Sequence, residues 1–180
     1  MQTVKMVITG PFSAGKTEFI RTISEIDVVS TERKISSDAE RIKDQTTVAM
    51  DFGRITVDDD LVLYLFGTPG QKRFDFMWEI LSEGMLGFIV IVDSSRPETF
   101  REARGILDTF RGYAETPYVI AANKQDHEDA WAPDDLRIAL KISKDVRVLP
   151  CVANDKELVK SVLLELLYSI LETMDLGATD

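Results

Sequence analysis

The chain has 180 residues, 44% of them hydrophobic and 29% charged, with a formal net charge of -10. These values fit one soluble globular domain spanning residues 1–180, and an acidic surface repels nucleic acid and anionic membrane, so neither is expected as a general partner. The single cysteine, Cys151, excludes an internal disulfide; in an apolar run it reads as a buried structural thiol in a reducing compartment.

In chain order, Val4 to Thr9 is predicted as a short buried strand. Gly10-Pro11-Phe12-Ser13-Ala14-Gly15-Lys16-Thr17 then fits the pattern G-x-x-x-x-G-K-[ST] at every fixed position. Glu18 to Ile23 reads as a helix with Phe19, Ile20 and Ile23 inward. Strand, glycine loop, helix is the context this motif needs. Gly10 and Gly15 let the backbone wrap close to a phosphate, with the N–H groups of Ser13, Ala14, Gly15 and Lys16 turned inward. The helix N-terminus adds its positive end. Lys16 would reach the β- and γ-phosphates, and the Thr17 hydroxyl would bind Mg²⁺. The motif names neither the base nor the reaction.

Residues 26–46 carry no sustained periodicity, and Ser30-Thr31-Glu32-Arg33-Lys34 and Ser36-Ser37-Asp38 read as a long loop. A short helix from Asp38 to Lys43 is an option within it. Val48 to Val57 is predicted as a strand with Val48, Met50, Phe52, Ile55 and Val57 inward. It turns at Asp58-Asp59-Asp60 into a buried strand from Leu61 to Phe66, the only antiparallel pair expected. The loop Gly67-Thr68-Pro69-Gly70-Gln71 leads to a helix from Phe74 to Ser82, closed by Gly84. Leu86 to Val92 is a strongly apolar central strand. Pro97 opens a helix to about Arg111, with Phe100, Ile106, Leu107 and Phe110 as its core face. A strand from Tyr118 to Ala122 follows, then a short helix from Pro133 with Leu136 and Leu140. The strand from Val146 to Val152 is interrupted by Pro150, which suits an edge. The last helix, about Lys156 to Met174, is expected to bury Leu158, Val162, Leu166 and Ile170. This alternation of apolar runs and helical patterns argues an α/β fold with a parallel sheet.

Asn123-Lys124-Gln125-Asp126 follows the Tyr118 strand directly. A carboxylate at Asp126 can accept from both the ring N–H and the exocyclic amine of guanine. Adenine offers no such donor pair, so Asp126 would select GTP over ATP. The Lys124 stem can cover one face of the base, and Asn123 can tie this loop to the phosphate loop.

With these motifs together the chain resembles a small Ras-like GTPase of the Rab and Arf kind over nearly its whole length. Gln71-Lys72-Arg73-Phe74 through Leu81-Ser82-Glu83-Gly84 resembles their switch II, with Trp78 where Arf proteins carry a tryptophan. Thr47-Val48-Ala49-Met50-Asp51-Phe52 resembles the switch I threonine and the strand after it. The pattern is most similar to the prokaryotic branch related to the signal-recognition-particle receptor β-subunit. The resemblance implies a three-layer P-loop GTPase fold: a mostly parallel six-stranded sheet with one antiparallel edge strand and helices on both faces. It also implies GTP/GDP and Mg²⁺ as ligands. Thr47 would bind Mg²⁺ and the γ-phosphate, with Thr46 as the other register. The Gly70 N–H would touch the γ-phosphate, and Gln71 would orient the attacking water. Val152-Ala153-Asn154 falls where the family has Ser-Ala-Lys, so the Ala153 N–H is a candidate for the guanine oxygen. A protein effector or regulator at the switches is implied, a roadblock-domain protein being one candidate.

Two positions depart from the family. Gly67 stands where most relatives have an aspartate that holds the Mg²⁺ shell through water; weaker Mg²⁺ binding and faster exchange follow, with Asp93 as one candidate substitute. Phe12 stands where Ras has glycine and would crowd an arginine finger, slowing hydrolysis. Arg33, Lys34, Arg41 and Lys43 are candidate cations in cis against solvated loop charge, and Trp78 and Phe76 are candidate effector contacts against burial. The reading is a GTP-binding switch with slow hydrolysis; the competing one is a hydrolysis-deficient scaffold. No spanning segment is visible, residue 2 is Gln, and no prenylation cysteine ends the chain, so a cytoplasmic protein without a direct membrane anchor is expected.

Overall fold

The computed structural model describes residues 1–35, 46–70 and 74–177. Among the described residues, seven strands and five helices follow one another. They are β1 (Gln2–Thr9), α1 (Lys16–Ile23), β2 (Val29–Ile35), β3 (Thr46–Asp58), β4 (Leu61–Gly67), α2 (Phe76–Ser82) and β5 (Gly87–Asp93). After a 3-10 turn at Pro97–Thr99 come α3 (Phe100–Tyr113), β6 (Tyr118–Asn123), α4 (Pro133–Ala139), β7 (Val148–Pro150) and α5 (Lys156–Gly177). The strands form one sheet in the order β2-β3-β4-β1-β5-β6-β7. Among the described residues no helix is long and apolar enough to cross a membrane.

The α/β class holds, with a mostly parallel sheet and helices on both faces. The six strands foreseen are all present, and β2 adds a seventh at the edge. Only β3 runs against its neighbours, pairing antiparallel with β2 on one side and β4 on the other. The antiparallel strand is therefore second from the edge, a correction to the expected arrangement. Val29 to Ile35, read as loop from its polar composition, is that edge strand. An edge strand needs no apolar alternation, because charge there discourages pairing with other chains. Asp38 to Lys43, and with them Arg41, lie outside the described residues.

Strand alternation sorts the core into two layers. Val4, Met6, Ile8, Leu63, Leu65, Ile89 and Ile91 face α1 and α5. Val7, Phe88, Val90, Val92, Ile120 and Ala122 face α2, α3 and α4. Burying side chains of this size contributes about 1.5–3 kcal/mol each. In α5 the buried line is Val159, Val162, Leu163, Leu166, Leu167 and Ile170, while Leu158 is only half-buried. On β3 the expected inward set is corrected. Ile55 packs on the α1 layer, Val57 is exposed, and Phe52 stacks with Tyr64 and meets Phe66. One feature of the β3–β4 ladder sets which residue meets which. Asp58 faces Leu61, yet Thr56 faces Val62, so a bulge shifts the register by one residue between them. Beyond it, Asp51 stands opposite Gly67.

Candidate functional site

The phosphate loop lies between the end of β1 and the start of α1, as the motif requires. Its glycines are fixed by both backbone angle and space. Gly10 has φ +148°, and a Cβ there would lie 2.2 Å from the Ile91 carbonyl oxygen on β5. Gly15 has φ +111°, and its Cβ would lie 2.4 Å from Asn123 Nδ2. Ser13 adopts φ +62°, and the Ala14 N–H donates to the Pro11 carbonyl at 3.2 Å. Lys16 is buried and curls back over the loop, Nζ donating to the Gly10 and Pro11 carbonyls at 2.7 and 2.8 Å. Burial lowers its pKa to about 8, against the opposing pull of Glu102 and Asp51.

The base side is joined to this loop by one amide. Asn123, buried at the end of β6, donates from Nδ2 to the Ala14 carbonyl at 2.8 Å. Its Oδ1 accepts from the Ala153 N–H at 2.9 Å. Thr22 of α1 donates to the Ala153 carbonyl at 2.6 Å, closing the ring of segments. Lys124, at φ +62°, reaches Ser13 O at 3.4 Å and pairs with Asp93 at 2.8 Å. Asp126 is exposed, three residues beyond Asn123. The structure thus brings together Gly10, Ser13, Ala14, Gly15, Lys16, Asn123, Lys124 and Ala153, with Asp126 on the same loop. Burial pushes the Asp93 carboxyl up, but hydrogen bonds from Lys124 and Ser95 outweigh it and hold it below its usual range. Asp93 is thus engaged by Lys124 and Ser95, on the side of the Asn123–Asp126 loop. Burial raises the Cys151 thiol to about 12, as fits a structural cysteine.

The metal side differs from expectation. The Thr17 hydroxyl donates to the Asp51 carboxylate, a residue the sequence reading passed over. A register drawn outward from the 58–60 turn would have put Asp51 opposite Thr68, and only the bulge brings it to Gly67. Thr47 lies in β3 with its backbone paired to Lys34 in β2. Four residues beyond Asp51, it is about 13 Å along the strand at ~3.3 Å per residue, so it is not brought to Thr17. Gly70 lies against the phosphate loop: a Cβ on it would meet Lys16 Nζ and Phe12 Cα, each at 2.8 Å. Gln71 lies outside the described residues.

Phe12 is 60% exposed. Trp78 is only 7% exposed, packs against Phe110 and donates from Nε1 to the Pro69 carbonyl at 3.0 Å. It is a core residue that braces the loop before switch II, and its candidacy as an effector contact is corrected. Phe76 and Ile80 on the same helix are 52% and 57% exposed.

Residues 26–179 match the family described as conserved hypothetical ATP binding protein. The uncharacterized protein MJ1339 of Methanocaldococcus jannaschii is 33% identical over 126 residues, 70% of this chain and 73% of that protein. The Ras-related protein RABA6b of Arabidopsis thaliana is 28% identical, covering 68% of this chain and 50% of its own length. The human ADP-ribosylation factor-like protein 4C is 28% identical, covering 69% and 62%. The chain thus spans between half and three quarters of the length of these relatives. The latter two are of the Rab and Arf types, so the placement beside the signal-recognition-particle receptor β-subunit is corrected to a broader likeness to Ras-like GTPases. The chain belongs to the family of conserved hypothetical ATP-binding proteins, and it is similar to small GTPases of the Rab and Arf types.

Proposed function

We propose that this chain is a GTP-binding switch that hydrolyses GTP slowly to GDP and phosphate. The observation that carries the proposal is the Asn123 amide, bonded at once to Ala14 of the phosphate loop and to Ala153. That pair of hydrogen bonds ties the Asp126 loop to the phosphate loop, as a site holding base and phosphates together would need. The family description mentions ATP, but the carboxylate of Asp126 fits guanine. It can accept from the ring N–H and the amine, whereas adenine turns a lone pair where guanine has its ring N–H. Lys124, which reaches Ser13, would cover one face of the base; the Ala153 N–H, expected at the guanine oxygen, is instead donated to Asn123 Oδ1, a correction to that expectation.

Bound Mg²⁺ would neutralise phosphate charge, with Thr17 and, in the GTP state, Thr47 as ligands. Lys16 would leave its two loop carbonyls for the β- and γ-phosphates. Gly70 already lies beside Lys16 and would donate its N–H to the γ-phosphate, drawing Thr47 inward from β3, and Gln71 would orient the water. Loss of the γ-phosphate would release both segments. The exposed Phe12 ring stands where an activating cation would enter, which supports slow turnover. Phe76 and Ile80 give switch II an apolar face for a protein effector or regulator, such as a roadblock-domain protein, and nothing in the reading calls for a membrane anchor.

Displacement of a fluorescent GDP analogue tests the ligand: GTP should compete and ATP should not, and equal competition would sink the guanine reading. Phe12 also favours a scaffold that holds GTP without turning it over. Single-turnover hydrolysis of pre-bound GTP, wild type against Gln71→Leu, separates the two. No turnover in either, even with cell extract, would favour the scaffold.

A further inference from the structure

We propose that Asp51, carried on β3, is the carboxylate that serves the Mg²⁺ shell in this chain, in place of the aspartate that the resemblance to Ras-like GTPases implies at the position of Gly67. The inference rests on the nucleotide reading above and deepens it. Three observations point the same way. First, Asp51 and Gly67 face each other across the β3–β4 ladder, so a carboxylate on either strand starts from one spot on the sheet. Second, the Asp51 carboxylate accepts a hydrogen bond from the Thr17 hydroxyl, the motif's metal ligand. A hydroxyl that donates to a carboxylate keeps its oxygen lone pairs turned outward, as a metal ligand needs. Third, the space is tight. A Cβ on Gly67 would stand 3.1 Å from Asp51 Cβ, 3.5 Å from Asp51 Oδ2 and 2.9 Å from Ile20 Cδ1. A side chain at 67 would press on Asp51, and its absence leaves Asp51 room at the site.

The donor set suits the ion. Mg²⁺ takes hard oxygens and is usually bound by one or two carboxylates with phosphates and waters. Among the described residues no group of three or more His, Cys, Asp or Glu forms a metal cage, so one carboxylate beside Thr17 and the phosphates is the chemistry the site offers. Asp51 also lies near enough to Lys16 to support its charge, which places it by the phosphate-binding end of the loop. The carboxylate has moved to the neighbouring strand, and the weak Mg²⁺ binding expected from Gly67 alone does not follow.

The test is the Mg²⁺ dependence of fluorescent GDP release from the full chain. Wild type should retain GDP in Mg²⁺ and release it at least about tenfold faster in chelator. Asp51→Asn keeps an acceptor for Thr17 but loses the charge, and should raise the Mg²⁺ midpoint about tenfold or more. Gly67→Asp alone should not improve retention, because it presses on Asp51. The exchange Asp51→Gly with Gly67→Asp should bring the midpoint back towards wild type. A purely structural Asp51 would lower the melting temperature and leave the midpoint unmoved, which overturns the proposal. So would improved retention in Gly67→Asp. Failure to bind GDP at all would instead overturn the nucleotide reading, and this one with it.

Discussion

Nucleotide binding should draw a proton onto the protein, through Lys16. Its ammonium is held by two neutral carbonyls in a buried pocket, and burial lowers its pKa to about 8. Against the ordinary 10.5, that shift corresponds to about 3 kcal/mol at ~1.4 kcal/mol per unit. A diphosphate beside Nζ favours the charged form and should lift the pKa back towards its ordinary value. The free protein has Lys16 neutral in about a tenth of molecules at pH 7, half at pH 8 and nine tenths at pH 9. Binding of GDP, whose phosphates are fully ionised by pH 8, should therefore take up about 0.5 and 0.9 proton at pH 8 and pH 9. Calorimetry in buffers of different ionisation enthalpy reads this uptake as a slope. Lys16→Arg, permanently charged, should lose it at both. The same shift acts on the free protein's stability. Between pH 8 and 10.5 the unfolded chain holds more protons than the folded one, so this group's contribution rises with pH across that window. An uptake below about 0.2 proton at pH 9 would refute the reasoning.

Asn123→Ala leaves the Ala14 carbonyl and the Ala153 N–H buried without this partner. At about 1–3 kcal/mol for each orphaned group, it should lose ~2–6 kcal/mol in urea unfolding, and GDP affinity with it. A loss under about 0.5 kcal/mol would show that the amide is not the tie described. Trp78→Ala should cost about 3–5 kcal/mol through its lost packing. Phe76→Ser, on the exposed side of the same helix, should stay within about 0.5 kcal/mol in thermal melts. Equal losses would mean that the two faces of α2 have been misassigned.

What was legible in the sequence follows from how local each signal is. Gly10 to Thr17 and Asn123 to Asp126 are short runs whose chemistry is written in adjacent residues. The central strands announce themselves by apolar runs such as Leu86 to Val92. β2 was hidden because its seven residues include Glu32, Arg33 and Lys34, and a strand paired on one side needs no hydrophobic alternation. Asp51 was hidden by the bulge, since a register slip of one residue changes every partner beyond it. Trp78 was ambiguous because apolar residues crowd more than one face of α2, and only packing against Phe110 chooses the buried one. The tie through Asn123 could be proposed from sequence, but its second bond, to Ala153, comes from a contact across 30 residues.

The two ends of the sheet differ in kind but act alike. At one end stands β2, with three consecutive charged residues; at the other is β7, three residues long and ending in Pro150, which has no N–H to offer a further strand. Seven strands with unguarded margins would be a template for growth by copies of the same chain. With both margins blunted, the sheet remains finite. Replacing Pro150 would do more than restore a hydrogen bond: it would turn a terminus into a docking edge, with self-association rather than lost binding as the first symptom.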